Sequence, residues 1–191
     1  MSTPLILASA SPRRLDLLQS FGVAFDVQPA DIDETPQPDE SGSEVIRRVA
    51  LEKAQTIAKR SPQSHVMGCD TGVLLDQDLL GKPRSANEAR LMLTSLSGRS
   101  HEVVSAVALV GPDGSVCEAV CATTVWLASL PADWIERYID SQDPMDKAGG
   151  YAIQNQAGLF VSRIEGSYTN VVGLPLYETG QLLRRAGLWH P

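Results

Sequence analysis

A chain of 191 residues, 43% of them apolar, is long enough for one packed domain spanning residues 1–191, and it excludes a disordered or low-complexity protein. With 23 acidic against 16 basic side chains the net charge is −7, which excludes a general nucleic-acid surface, because backbone phosphates need a clustered basic face. No run approaches the roughly 20 apolar residues of a membrane span, residues 1–4 show no basic leader, and Cys69, Cys117 and Cys121 form no CxxC pair, so a cytoplasmic protein without a membrane partner is expected.

Residues 5–8 read as a short apolar strand running into Ser9-Ala-Ser11-Pro12-Arg13-Arg14 and a helix that stops at Gly22. Ser11 suits the N-cap and Pro12 the first helical position. A strand that feeds a small-residue turn and a helix start is an anion site, since unpaired N–H groups and the helix dipole favour negative charge there. Two arginines in that turn either strengthen the site or are a basic pair on a solvated turn. At 100° per residue Arg14 falls in the arc of Leu17, Leu18 and Phe21 and points inward.

Residues 25–27 read as a second strand, followed by an acidic loop with Asp31, Asp33 and Glu34. Residues 44–59 form a helix whose apolar arc is Val45, Ile46, Val49, Ala50, Ala54 and Ile57. Lys53 sits in the middle of that arc, so its ammonium either snorkels to solvent or enters a cleft. Residues 66–75 and the run from Leu79 are β-like arms around an Asp76-Gln-Asp78 turn. Asp70 lies inside the first arm and Lys82 ends the second. A carboxylate on a buried strand costs several kcal/mol unless a cation, metal or water meets it. Otherwise Asp70 begins a turn with Thr71 and Gly72.

Ser85 and Glu88 form a capping box for a helix ending at Ser97-Gly98, and residues 101–110 and 116–127 form a β hairpin around Gly111-Pro-Asp-Gly114. His101 reads as structural, and the three histidines are too scattered for a zinc site. Pro131 opens a helix that buries Trp134, Ile135 and Tyr138. The loop Asp143-Pro-Met-Asp146-Lys147-Ala-Gly-Gly150 follows, then a short strand over 151–154, another over 159–164, and residues 171–175 leading to a last helix through Leu182 and Leu183. This order predicts an α/β fold with a mixed sheet.

The polar residues left unexplained by packing are Arg13, Arg14, Glu34, Lys53, Asp70, Lys82, Asp146, Lys147 and Gln154, nearly all at element ends. Fixed cations suit a polyphosphate, and a few carboxylates suit a hard divalent ion or a positioned water. A nucleoside triphosphate or a similar phosphate ester fits that chemistry.

The motifs Ser9-Ala-Ser-Pro-Arg-Arg14, Asp33-Glu34, Val49-Ala-Leu-Glu-Lys53-Ala, Gly68-Cys-Asp70-Thr71, Gly81-Lys82-Pro83, Leu96-Ser-Gly98 with His101, Asp146-Lys147-Ala-Gly149 and Gly173-Leu-Pro-Leu176 stand in order from Leu5 to about Leu183. The sequence therefore resembles the Maf (septum-formation inhibitor) nucleotide pyrophosphatases. The resemblance implies two lobes around an extended mixed sheet with a nucleotide cleft, akin to the inosine-triphosphate pyrophosphatases. It also implies hydrolysis of a nucleoside triphosphate to monophosphate and pyrophosphate with Mg²⁺ or Mn²⁺, and a homodimer.

Within the family, Lys147-Ala-Gly-Gly-Tyr151-Ala-Ile-Gln154 resembles the dTTP/UTP branch, whereas the branch that cleaves 7-methyl-GTP carries a Glu-Gly pair in place of Gln154-Asn155. By position, Asp70 matches the proton acceptor, and Arg13, Thr71 and Gln154 match residues linked to base choice. Ser9, Arg13, Arg14, Lys53, Lys82 and Lys147 are assigned to phosphate, and Glu34 with Asp70 to metal or water. Cys69, Gly150 and Asn155 depart from the usual Ala, Ala and Gly. A nucleotide-binding regulator of cell division without turnover is the alternative from another class.

Overall fold

The structure, a computed structural model, describes residues 5–190, so residues 1–4, where no leader is expected, lie outside it. The chain forms β1 (Leu5–Leu7), α1 (Pro12–Gln19), β2 (Phe25–Val27), α2 (Gly42–Ala58), β3 (His65–Leu75), β4 (Asp78–Leu80) and α3 (Ala86–Leu96). Then come β5 (Ser100–Val110), β6 (Val116–Leu127), α4 (Ala132–Asp140), short 3₁₀ turns between residues 143 and 160, β7 (Val161–Glu165), α5 (Tyr168–Val172) and α6 (Leu176–Arg185). The mixed α/β class expected from the element order is what the chain adopts.

Seven strands make one sheet in the order β2-β1-β3-β5-β6-β7, with β4 also on β3. β1 runs parallel to β2 and β3, from which crossovers separate it, and the remaining pairs are antiparallel. β3 is the spine. One edge pairs with β5 from Val66 to Leu74. The other pairs with β1 as far as Met67 and with β4 only from Val73, so on this edge residues 68–72 have no strand beside them. The chain leaving β1 and the chain leaving β4 diverge at this split, and a cleft opens there.

Side chains alternate across β3. Val66, Gly68, Asp70, Gly72 and Leu74 face α2, whose predicted apolar arc is buried on the sheet. Met67, Cys69, Thr71, Val73 and Leu75 face the opposite side, where two cores form. In one, Leu18 of α1 and Leu182 and Leu183 of α6 cover Leu5, Leu7 and Met67. In the other, Leu93 of α3 and Ile135 of α4 cover Val73, Val103 and Val125. Each buried leucine or isoleucine stabilises the fold by about 1.5–3 kcal/mol. These cores are the two lobes, joined by the long antiparallel ladder of β3 and β5.

Gly68 sets the depth at which α2 lies. A Cβ there would stand 2.0 Å from Ala50 O and 2.7 Å from Ala54 N, so the helix backbone rests on the strand backbone. The β3–β4 turn is narrower than the sequence suggested. Asp76 and Gln77, at φ 51° and 76°, form a two-residue type I′ turn, and Asp78 already pairs with Leu75.

Other local expectations need correction. Residues 151–154 are a turn rather than a strand: Gly149 and Gly150 redirect the chain at φ 67° and 72°, and Asn155 N–H closes on Ala152 O at 3.2 Å. Gln156–Phe160 is a 3₁₀ turn, so β7 begins two residues later than expected. Residues 168–172 are helical, capped by Ser167. Ser85 accepts from Glu88 N–H, but the Glu88 carboxylate reaches Arg84 N–H instead of completing the box; Ser41 and Glu44 form a complete one on α2.

Candidate active site

After β1 the backbone stays paired for one more residue, with Ala8 N–H on Met67 O at 2.8 Å, and then turns into α1. Ser11 occupies the cap position, but its hydroxyl makes no capping bond and no acidic residue stands in the first turn. Ser11 N–H donates instead to Ser9 Oγ at 3.3 Å and Arg14 N–H to Ser11 O at 3.1 Å, and Pro12 has no N–H, so Arg13 N–H is the one left without an acceptor at this helix start among the described residues. Ser9 is buried beside it.

The two arginines diverge. Arg13 lies 3.7 Å from Asp146 on the facing wall. Arg14 turns inward as its periodicity predicts, and all three of its nitrogens meet protein acceptors: Nε donates to Gly173 O at 3.0 Å, Nη2 to Thr71 Oγ1 at 3.0 Å and Nη1 to Ser9 Oγ at 3.3 Å. Thr71 Oγ1 is 2.8 Å from Ser105 Oγ, which donates to Asn170 O at 3.2 Å. Asn170 Nδ2 in turn donates to Val103 O and Thr123 Oγ1 at 2.8 and 2.9 Å. Ser105 and Asn170 are fully buried. Asn170 Oδ1 is the one buried side-chain polar atom of this network without a partner among the described residues, and the remaining bonds tie Thr71 to β5 and to the turn before α1.

On the other face of β3 the charges meet. Lys53, only 8% exposed, directs Nζ to Asp70 Oδ1 at 2.9 Å and to Glu34 Oε1 at 2.8 Å. The centre of an apolar helical arc thus carries its cation into the cleft, where two carboxylates offset the cost of burying it. Of the two carboxylate oxygens of Asp70, only Oδ1 has a hydrogen-bond partner among the described residues.

The facing wall carries Lys82, exposed on the chain leaving β4, and Gln154, exposed on the turn after the glycine pair. Lys147 is buried, and its ammonium meets Asp143 O at 2.5 Å, Asp143 Oδ1 at 3.1 Å and Asp146 Oδ1 at 2.6 Å. Burial pushes both carboxyls up, but bonds from Tyr138 and Lys147 hold Asp143 below the usual range, and Lys147 with Arg13 does the same for Asp146. His101 is structural as expected: burial pushes its imidazole down to about 4, and Nε2 lies 2.6 Å from Tyr151 Oη.

Every candidate side chain named from the sequence lines one cleft of about 1080 Å³. Arg84 and Glu88, a pair at 3.2 Å, also line it and were not foreseen. Nor were Ser105 and Asn170, which lie behind the lining; a hydroxyl interrupting the apolar run of β5 was the available signal for Ser105. Two carboxylates converge on Lys53, and no cluster of three or more His, Cys, Asp or Glu among the described residues encloses a metal by itself. That donor set fits Mg²⁺ or a similar hard ion, which takes one or two carboxylates and completes its shell with water and substrate phosphates. No helix among the described residues is long and apolar enough to cross a membrane.

The model of the family described as Maf-like protein matches residues 4–186. A dTTP/UTP pyrophosphatase of Myxococcus xanthus (strain DK1622) is 50% identical over 186 residues, which cover 97% of this chain and 94% of that protein. One from Vibrio parahaemolyticus serotype O3:K6 is 47% identical over 184 residues, covering 96% and 97%. Among solved structures, a HAM1 protein from Coxiella burnetii superposes with a TM-score of 0.56 over 96% of this chain and 100% of its own at 19% identity, a likeness of fold alone. Matched over nearly its whole length by the family model and by these relatives, the chain belongs to the Maf-like protein family.

Proposed function

We propose that this protein hydrolyses dTTP and UTP, together with modified pyrimidine nucleotides, to the nucleoside monophosphate and pyrophosphate. The observation that carries the reading is the Lys53 ammonium between Asp70 and Glu34 at the split of the sheet, beside an uncapped helix start. Relatives about half identical in sequence are named for that activity.

Lys53 fixes the Asp70 carboxylate through Oδ1 and leaves Oδ2 to take a proton from water. As the water oxygen bonds to the α-phosphorus, the bond from that phosphorus to the α–β bridging oxygen breaks, and pyrophosphate leaves with the electron pair. Arg13 with its unpaired backbone N–H, Lys82 and the dipole of the α1 start hold the phosphates and offset charge that builds in the transition state. Arg14 spends three of its five N–H donors on Ser9, Thr71 and Gly173 and keeps one on each terminal nitrogen for phosphate, while Lys147, whose ammonium already meets Asp143 and Asp146, sets the position of Asp146. Asp70 and Glu34 would hold a divalent ion, which when bound neutralises phosphate charge. Gln154 offers both a donor and an acceptor to a pyrimidine edge, with Thr71 and Arg13 the other residues assigned to base choice.

A panel of triphosphates with Mg²⁺ or Mn²⁺, read by pyrophosphate release, tests this. It should include dTTP, UTP, CTP, 5-methyl-UTP, pseudo-UTP and 7-methyl-GTP, with dTTP and UTP expected to turn over fastest. Fastest turnover of 7-methyl-GTP would move the protein to the sister branch, and no release from any of them would leave a nucleotide-binding regulator. The homodimer and the cytoplasmic setting belong to the same proposal; sedimentation giving the mass of one chain would remove the first.

A further inference from the structure

Glu34 lies on a long connection, residues 28–41, that has no regular structure between β2 and α2 and is exposed from residue 33 to residue 39. Such a segment does not hold a carboxylate in place by itself, because each free backbone residue keeps entropy that must be offset by contacts elsewhere. The Lys53 contact at 2.8 Å fixes only the tip of the side chain, and Glu34 is still 54% exposed.

The backbone is held from outside the cleft. Arg48 of α2 does not line the cleft, yet its guanidinium makes a forked pair with Glu40, Nε to Oε1 at 2.7 Å and Nη2 to Oε2 at 2.9 Å. The same Nη2 donates to Thr35 O at 3.0 Å, the carbonyl of the residue directly after Glu34. Glu40 Oε2 also accepts from Gln37 N–H at 3.0 Å. Asp33 accepts from Thr35 N–H at 2.9 Å, so the backbone on the far side of Glu34 folds onto this anchor too. The side chains of Arg48 and Glu40 are 17% and 11% exposed, so this is a shielded pair of good geometry rather than a surface ion pair.

We propose that Arg48, with Glu40, is a positioning residue for the reaction: it fixes the Thr35 carbonyl and so presents Glu34 to Lys53 and Asp70. The role rests on the hydrolytic reading given above. Arg48 touches neither the substrate nor the reacting atoms and acts only through Glu34. Lysine cannot replace it, because one ammonium cannot span both the carboxylate and the carbonyl in a plane.

Two measurements on the full chain test this, one of which needs no activity. In Arg48→Met, cleavage after Glu34 by a glutamate-specific protease should speed up about tenfold as the anchored loop opens more often. In a kinetic double-mutant cycle on UTP, Arg48→Met should lower turnover about tenfold in the native background and less than about twofold in Glu34→Gln, because the path through Glu34 is already gone. Unchanged proteolysis, or two effects that multiply, would overturn the proposal. If Arg48→Met does not fold, Glu40→Gln removes the same fork from the other side and is read in the same way. Should the native protein release pyrophosphate from no triphosphate, the hydrolytic reading falls and the positioning role falls with it; accelerated proteolysis would then show the anchor alone.

Discussion

Asp70 and Thr71 are neighbours on β3 and face opposite ways into different chemistry. On the α2 side a carboxylate with one hydrogen bond shares an ammonium with a second carboxylate. On the α1 side a hydroxyl is surrounded by Arg14, Ser105 and Gly173 O, at 3.0, 2.8 and 3.3 Å. The first face keeps a carboxylate oxygen in reserve at the cleft, and the second has committed most of its bonding to the scaffold, the outer N–H groups of Arg14 excepted. Groups that act on a ligand need unsatisfied capacity, whereas groups that fix geometry need none, so one strand supplies reagent and frame in consecutive residues.

The comparison can be broken by substitution, and the largest effect is expected at the open face. Asp70→Asn should reduce pyrophosphate release by about 10²- to 10⁴-fold while circular dichroism and the unfolding midpoint stay near native values. Near-native turnover in the folded variant would remove Asp70 from its role. Next comes the backing of that face. Gly68→Ala forces a Cβ against Ala50 O and should cost about 3 kcal/mol in urea unfolding, because helix backbone cannot move aside as a side chain can.

At the saturated face the effect should be smaller and of a different kind. Ser105→Ala should lower stability by about 1–2 kcal/mol, leaving Asn170 O without its donor, with kcat/KM falling in parallel rather than collapsing. A loss of turnover as large as that of Asp70→Asn would erase the distinction between the faces. The smallest change is expected at the exposed Gln154, where Gln154→Glu should alter the ratio of UTP to CTP turnover by less than about tenfold without a stability change. An unchanged ratio would separate Gln154 from base choice.

The open face was legible in the sequence because its signals are local. Lys53 stands out by helical period and Asp70 by a charge on an apolar strand, and both need only a few neighbouring residues to be seen. The saturated face was legible only in part. The inward turn of Arg14 follows from the same periodicity, but its acceptors come from residues 9, 71 and 173, and Ser105 meets Thr71 through the register of β3 on β5. Pairing across that distance is not written in any window of sequence. Residues 151–154 misled for a related reason: their apolar alternation suits a strand, but no neighbouring strand is there to pair with them. Ser11 misled in the opposite sense, since a residue suited to capping makes no side-chain cap, and Arg14 N–H closes on the Ser11 carbonyl instead.

The split beside residues 68–72 has a mechanical consequence. Where a strand is paired on both sides, a bend has to break interstrand hydrogen bonds on both of its edges. At Gly68 to Gly72 only the β5 edge of β3 is tied, so fewer interstrand hydrogen bonds hold β3 at Asp70 than at Met67 or Val73, and the α2 backbone resting on Gly68 supplies the support that a neighbouring strand gives elsewhere.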